Sequence, residues 1–285
     1  MSVTFRAKRG IIIQMKISGK TIILFILFFN ISEFFAQDFS LLETPKCIAV
    51  HAEKNGNDHE VHSYSGFTLC YREEYECAEW VCYKLTKEKV NGTVKRSNMF
   101  HEDYKISTGS AWISDYKKSG YDRGHLAPAG SFKYSEEAMF DTFAMSNITP
   151  QVPEFNQGIW NDLENQVRNW ARKFGEIYVV TGPVLEKPAS EYSHIGFNQV
   201  AVPEYFYKVI LRETGSQVQC IAFIIPNQPC SDSYWNYVTT VDDVEQRTGI
   251  DFFFNLDDAE EEQTERQVDL TLWGKFNYNR TRDKH

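Results

Sequence analysis

The apolar pattern of the chain predicts one long amphipathic helix. Apolar side chains recur every three or four residues from residue 156 onward, at Ile159, Leu163, Val167, Trp170 and Phe174. Gly175 follows this series, and glycine is a typical residue at a helix C-terminus. The pattern therefore predicts a helix over residues 156–174, with its large aromatic side chains in the core.

Runs of aromatic and branched residues predict the strands. The runs occupy residues 66–71, 78–86, 143–151, 176–185, 202–213 and 217–226. The charged segment 72–76 and the "TGS" segment 214–216 are typical of hairpin turns. A short helix is predicted over 135–141, and the polar stretch 87–118 is typical of long loops. These elements predict an α+β fold with a central antiparallel sheet and flanking helices.

The N-terminal segment differs from the rest of the chain. Lys16 and Lys20 precede the apolar run "TIILFILFFN", which is too short to span a bilayer comfortably, and Ala36 follows. This pattern predicts a signal peptide over residues 1–36 and a secreted or periplasmic protein without stable membrane association after cleavage. An uncleaved anchor and a mitochondrial leader are the alternatives, and the leader fits poorly because the run is apolar on every face.

The remaining chain divides into three predicted segments. Residues 37–61 form a polar lead-in, residues 62–274 form one globular domain, and residues 275–285 form a C-terminal tail. A length of 285 residues with 42% hydrophobic content suffices for one large domain. The oligomeric state stays open.

Six cysteines, at positions 47, 70, 77, 82, 220 and 230, form an even set. In an exported chain an even set favours disulfides, although the pairing stays open. Cys70 and Cys82 could face each other across the predicted hairpin. A zinc site is less favoured, because the chain has no CxxC pair and no histidine spaced beside the cysteines as structural zinc sites prefer.

The net charge constrains the substrate. It is −9 for the whole chain and −13 without residues 1–36, which carry five basic residues and one acidic residue. An acidic protein repels nucleic acid, so a polyanionic substrate would require a local basic groove and a bound metal cation.

The stretch "YDRGHLAPAG", residues 121–130, combines groups suited to phosphate chemistry. A guanidinium offers a fork of donors that matches phosphate, and an imidazole can accept a proton near neutral pH. Gly124 lets the backbone bend or approach another segment closely, so Arg123 and His125 could point to one place. The alternative is a surface ion pair between Asp122 and Arg123 beside a structural histidine.

Asn147 lies in "SNITPQ", and Asn156 and Glu164 lie in the predicted helix. Eight residues of continuous helix rise about 12 Å and rotate about 80° beyond two full turns. Asn156 and Glu164 therefore cannot both ligate one small ion directly if both are helical, so one acts through water. Mg²⁺ suits this arrangement because it keeps several waters.

These motifs together resemble the DNA/RNA non-specific endonuclease family. "DRGH" is followed in register by "SNITPQVPEFNQGIWNDLENQVR", and "AEWVCYKLTKEKVNGTVKRSN" upstream resembles the strand and arginine-bearing loop of the family. The resemblance covers residues 62–274. It implies a ββα-metal active site and Mg²⁺ as cofactor, with Mn²⁺ as the alternative ion.

The resemblance also implies a role for each matching residue. His125 matches the general base that takes a proton from the attacking water. Asn156 matches the direct metal ligand, and Glu164 matches the acid that holds metal-bound waters. Asn147 matches a polar residue that supports the site. The basic residues of the family that bind phosphate and offset the charge of the transition state are matched by Arg96, Arg123 and, less closely, Arg168.

The activity implied is magnesium-dependent hydrolysis of DNA and RNA that leaves 5′-phosphate ends. Substrate contacts are expected along the sugar-phosphate backbone, without base specificity. The alternatives are a catalytically weak nucleic-acid-binding module of the same fold and a phosphodiesterase for small substrates.

Overall fold

The computed structural model describes residues 59–214, 217–253, 256 and 264–274, and the backbone of three short strands that precede them. The chain divides into two units, Met1–Ala36 and Gln37–His285. In the first unit, β1 (Ser2–Arg6) pairs antiparallel with β2 (Ile12–Lys16). The apolar run of the predicted signal peptide and the predicted tail at 275–285 lie outside the described residues.

The second unit is built on strands and short helices. In chain order its strands are β3 (Lys46–Cys47), β4 (His59–Ser63), β5 (Thr68–Arg72), β6 (Cys77–Thr86), β7 (Asp122–His125), β8 (Ile148–Gln151), β9 (Glu176–Pro183), β10 (Ser193–Ile195), β11 (Val200–Val202), β12 (Tyr205–Thr214), β13 (Gln217–Pro226), β14 (Val238–Thr239) and β15 (Ile250–Asp251). Its helices are α1 (Lys87–Val90), α2 (Glu136–Asp141), α3 (Pro153–Phe155), α4 (Asn161–Phe174) and α5 (Val241–Thr248). The five predicted runs outside 143–151 each overlap one of these strands, with ends that agree to within three residues.

A seven-stranded sheet in the order β14-β13-β12-β9-β6-β5-β4 forms the centre of this unit. Every neighbouring pair in it is antiparallel. Helix α4 packs on one face, where Leu163, Val167 and Trp170 join the core cluster that includes Tyr83 and Ile210. Helix α5 packs on the other face with Val244. The α+β prediction is confirmed.

The predicted strand over 143–151 begins later than expected. A 3₁₀ turn occupies Met145–Asn147, and only Ile148–Gln151 is extended. The reason is that this strand pairs with β7 alone, in a two-stranded ladder outside the large sheet. Among the described residues, no helix is long and apolar enough to cross a membrane.

Cys70 and Cys82, which could have faced each other across the hairpin, do not do so. The hairpin turns at Glu73–Tyr75, but Cys70 lies opposite Trp80 and Cys82 lies opposite Thr68. The two cysteines are therefore diagonal neighbours, about 7–8 Å apart in a regular sheet, beyond ordinary disulfide reach. Cys220 and Cys230 are free thiols, and no disulfide forms among the cysteines that the structure describes.

Gly124 makes room for a neighbouring side chain in the β7–β8 pair. A Cβ atom at Gly124 would lie 2.1–2.4 Å from the Cγ, Cδ and Oε1 atoms of Gln151, which is buried. The ladder runs without a register shift from Asp122 to His125. The glycine therefore permits close approach and not a bend. Arg123 and His125 share a face because they are two residues apart in a strand.

We expect Gly124→Ala to destabilise the protein by about 1–3 kcal/mol, because the added methyl overpacks this contact. The double variant Gly124→Ala/Gln151→Ala removes the three atoms nearest to the methyl, so it should lose less stability than the two single changes added together. Urea unfolding of the four proteins measures this coupling. Additive losses would contradict the packing explanation.

Candidate active site

Strands β7 and β8 and the helix that follows them form a β-β-α unit. His125 pairs with Ile148 at the end of the ladder, and α3 begins two residues after β8. Asn147 stands immediately before β8 and fixes the backbone that follows His125. Its amide oxygen accepts from the Ala127 amide at 2.8 Å, and its amide nitrogen donates to the carbonyls of Ala127 and Thr142. Asn147 is fully buried and supports the site from behind.

The predicted continuous helix from residue 156 is interrupted. A wide, π-helical turn occupies Asn156–Trp160, and Gly158 leaves helical geometry within it, with φ −101° and ψ −112°. Asn156 and Asn161 lie on either side of this kink and line the same cavity. Glu164 then follows Asn161 at ordinary α-helical spacing. The rotation calculated for a straight helix therefore does not apply.

Asp122 holds Asn156 in a defined orientation. Its Oδ2 atom accepts from the side-chain amide nitrogens of Asn156 at 2.9 Å and Gln157 at 2.8 Å. No described residue donates a hydrogen bond to the amide oxygen of Asn156. This oxygen can therefore bind a hard cation. The ion pair between Asp122 and Arg123, considered from the sequence, is not observed between these described residues.

A cavity of about 380 Å³ brings the predicted residues together. Six of the seven predicted site residues line it: Arg96, Arg123, His125, Asn156, Glu164 and Arg168. Asn147 lies behind it. The cavity also contains Gln157 and Asn161, which the sequence did not single out. Their signal is their position beside Gly158, since a glycine in a helical pattern can mark irregular backbone.

His125 is an uncharged base at neutral pH. Burial and the positive charges of Arg96 and Arg123 lower the pKa of its imidazole to about 3. The ring lies edge-to-face with Phe143, with centroids 4.9 Å apart. Its Nε2 atom is buried and has no hydrogen-bond partner among the described residues. The imidazole is thus held by aromatic packing in a pocket of positive charge.

The arginines are positioned by aromatic rings and by the helix. The guanidinium of Arg123 lies 4.1 Å from the ring centre of Phe100, and that of Arg96 lies 5.3 Å from the ring centre of Phe143. Arg168 donates to Asn165 at 2.7 Å. These contacts leave three guanidinium groups facing one cavity, which is the local basic groove that the acidic composition requires.

Glu164 is a nearly buried carboxylate surrounded by cations. Burial raises the pKa of its carboxyl, and the charges of Lys208, Arg168 and Arg96 counteract this rise.

Lys208 is fully buried, donates to Thr181 at 2.9 Å and lies over the Trp160 ring. Lys208 is a residue of this site that the motifs do not indicate. Its signal is its place between Phe206 and Ile210, where alternation assigns an apolar residue to the core face.

A larger cavity of about 800 Å³ lies elsewhere, beside β12 and β14. It contains no histidine, and its arginine, Arg247, donates to Glu186 at 2.6 and 3.0 Å. The smaller cavity is therefore the better candidate for phosphate chemistry, because it alone of the two combines an imidazole with several guanidinium groups.

The chain is similar in sequence to known proteins. Residues 45–259 match the model of the DNA/RNA non-specific endonuclease family. Bovine mitochondrial endonuclease G is 36% identical over 209 residues, covering 69% of this chain and 70% of that protein. The frog Xenopus laevis mitochondrial nuclease EXOG is 39% identical over 213 residues, covering 70% of this chain and 59% of that protein.

A solved structure gives the same result. The crystal structure of an EndoG/EndoGI complex, described as explaining EndoG inhibition, matches with a TM-score of 0.65 and 33% identity. The match covers 70% of this chain and 88% of that chain. The fold resemblance therefore extends over most of the structural relative.

The prediction of a secreted or periplasmic location is wrong. The relatives are mitochondrial nucleases, including a 29% identical protein of Saccharomyces cerevisiae. They contradict export. The two lysines, the apolar run and Ala36 suggested export, and such a pattern does not determine the destination of a chain.

The cavity residues, the sheet and the comparisons therefore lead to one conclusion. The chain belongs to the DNA/RNA non-specific endonucleases, a family of metal-dependent nucleases.

Proposed function

We propose that the chain hydrolyses phosphodiester bonds of DNA and RNA with a single Mg²⁺ and leaves 5′-phosphate ends. The observation that supports this most strongly is the cavity in which His125, the amide oxygen of Asn156 and Glu164 face three arginines. The mitochondrial relatives support a mitochondrial location.

The oxygen groups of the cavity fit Mg²⁺. The amide of Asn156 presents its oxygen because Asp122 holds its nitrogen, and amide and carboxylate oxygens are ligands that hard cations prefer. Asn156 would hold the ion directly, and Glu164 would hold it through water. When bound, Mg²⁺ would stabilise the negative charge that develops on the phosphate and on the 3′ oxygen.

His125 acts as the general base. Its neutral imidazole accepts a proton from the water whose oxygen bonds to phosphorus, the bond from phosphorus to the 3′ oxygen breaks, and the 3′ oxygen takes a proton from another water to leave as a hydroxyl. A bound phosphate offsets the charges of Arg96 and Arg123, which are two of the causes that lower the pKa of His125. Substrate binding therefore makes the imidazole a stronger base at the moment when a base is needed.

The three arginines bind the substrate through phosphate oxygens. Arg96, Arg123 and Arg168 recognise charge and not base identity, so DNA and RNA with different sequences are equivalent ligands. A binding module without turnover would keep these contacts. Two results distinguish the nuclease from such a module. The unaltered chain cleaves nucleic acid, and a His125 variant still binds nucleic acid but does not cleave it.

We expect His125→Ala to lower the rate of plasmid and RNA cleavage by about 10²–10⁴-fold in Mg²⁺, because the general base is lost. Binding to a short duplex in Ca²⁺ should persist. His194→Ala, which changes a histidine on β10 outside the cavity, is the matched control and should retain full activity. Equal rates for His125→Ala and the unaltered chain would refute the assignment of the base.

We expect Asn156→Ala to raise the Mg²⁺ concentration required for half-maximal cleavage by more than about 10-fold, because a direct ligand is removed. Asn169→Ala is the control, since Asn169 lies on α4 outside the cavity and contacts Arg172. Rates measured across a Mg²⁺ titration, with chelator as the blank, give the comparison. An unchanged Mg²⁺ requirement would remove Asn156 from its role.

Lys208 stabilises the charged form of Glu164 from beneath the cavity. Lys208→Met should destabilise the fold, because it leaves the carboxylate with fewer nearby cations. Glu164→Gln in the same chain removes the charge that Lys208 balances. We expect a coupling free energy of about 0.5–3 kcal/mol between the two changes, measured by urea unfolding of the single and double variants. Additive effects would show that the two groups do not interact.

A further inference from the structure

A second group of metal-binding side chains lies on the central sheet, outside the nuclease cavity. His59, Cys70 and Glu79 offer a ring nitrogen, a sulfur and a carboxylate oxygen that all lie within 4.8 Å of one another. They come from β4, β5 and β6, three neighbouring strands. We propose that these three residues bind a Zn²⁺ ion, independently of the nuclease reaction.

A β-bulge brings the three side chains to one face of the sheet. Cys70 pairs with Trp80 and Tyr71 pairs with Ala78, so Glu79 is the extra residue between them. Such a bulge re-aims a side chain that regular alternation would point to the opposite face. Cys70 pairs with Val61 on β4, and His59 is two residues from Val61 on that strand. Residues two apart in a strand share a face, so His59 and Cys70 lie on the same face of the sheet.

The bulge is supported by its surroundings. The carbonyl of Glu79 accepts from the Tyr207 hydroxyl at 3.0 Å. A Cβ atom at residue 182 would lie 2.1 Å from this carbonyl oxygen, so Gly182 on β9 is required for the approach. Contacts with β9 and β12 therefore fix the backbone position of Glu79.

One of the two ligand distances is close to that of tetrahedral coordination, and the other is that of a hydrogen bond. Nδ1 of His59 lies 3.7 Å from the Cys70 sulfur and 2.9 Å from Oε1 of Glu79. Ordinary zinc-to-ligand bonds place tetrahedral ligand atoms about 3.4–3.6 Å apart. Binding would replace the His59–Glu79 hydrogen bond, so the Glu79 carboxylate would move away from the ring as the ion enters, and water would complete the four ligands.

The chemistry of the ligands favours zinc over magnesium. A thiolate and an imidazole are soft or borderline ligands, which select Zn²⁺, whereas the nuclease cavity offers only oxygen ligands and one imidazole. Binding displaces the Cys70 thiol proton to solvent, because the thiolate is the ligand. The second oxygen of Glu79 accepts from Arg72 at 3.1 Å, which orients the carboxylate as an outer-sphere partner does.

The site is buried on one side and accessible on the other. Cys70 is fully buried and Glu79 is 6% exposed, whereas the His59 side chain is 32% exposed. An ion can therefore enter beside His59 while the other two ligands stay protected. The sequence analysis disfavoured zinc because no histidine stands beside a cysteine along the chain. Strand pairing supplies the proximity that the sequence spacing lacks.

Cobalt substitution of the full chain tests the proposal. With reduced thiols verified, one equivalent of Co²⁺ should give a thiolate-to-cobalt charge-transfer band in the near ultraviolet, and Zn²⁺ should abolish it. Cys70→Ser should lose the band. Cys230→Ser, which changes a cysteine outside the cluster, and Asn156→Ala, which changes the nuclease cavity, should both retain it. Absence of the band from the unaltered chain would overturn the proposal.

A second variant guards against misfolding of the Cys70 protein. His59→Ala changes a partly exposed side chain, and we expect it to weaken Zn²⁺ binding by more than about 10-fold in a competition titration with a chromogenic chelator. Circular dichroism verifies that the fold is retained. Unchanged Zn²⁺ affinity in folded His59→Ala, or loss of the cobalt band in Cys230→Ser, would show that the ion binds elsewhere.

Discussion

The link between Asp122 and Asn156 is the constraint on which the candidate active site depends. It joins the first strand of the β-β-α unit to the wide turn that begins the long helix. One carboxylate oxygen of Asp122 accepts from the side-chain amide nitrogens of Asn156 and Gln157. The orientation of the Asn156 amide is thereby fixed, and no described residue donates a hydrogen bond to its oxygen. Asp122 therefore orients Asn156. Its neighbour Arg123 lines the cavity, where its guanidinium can contact a phosphate.

Charge balance inside the site explains how an acidic chain can act on a polyanion. The whole chain carries −9, yet Arg96, Arg123 and Arg168 face one cavity. Glu164 is the carboxylate in that cavity, and Lys208 lies beneath it as a further cation. The field that a phosphate meets is set at short range, because buried charges are screened less than the acidic surface.

Much of the fold and site followed from the sequence. Periodicity gave α4 and the long strands, because their apolar faces pack on a single sheet. The motif register predicted six of the residues that line the cavity. Three features required the folded chain: the wide turn that aligns Asn161, the long-range contact that buries Lys208, and the strand register that separates Cys70 from Cys82. Each depends on pairing or backbone geometry that local patterns do not encode.

Anomalous diffraction from crystals of the full chain soaked in Mn²⁺ tests the central claim most directly. The account predicts an anomalous peak in the cavity, within bonding distance of the Asn156 amide oxygen, with Glu164 separated from the ion by water. A peak coordinated by other residues, with the Asn156 oxygen turned away from the ion, would contradict it.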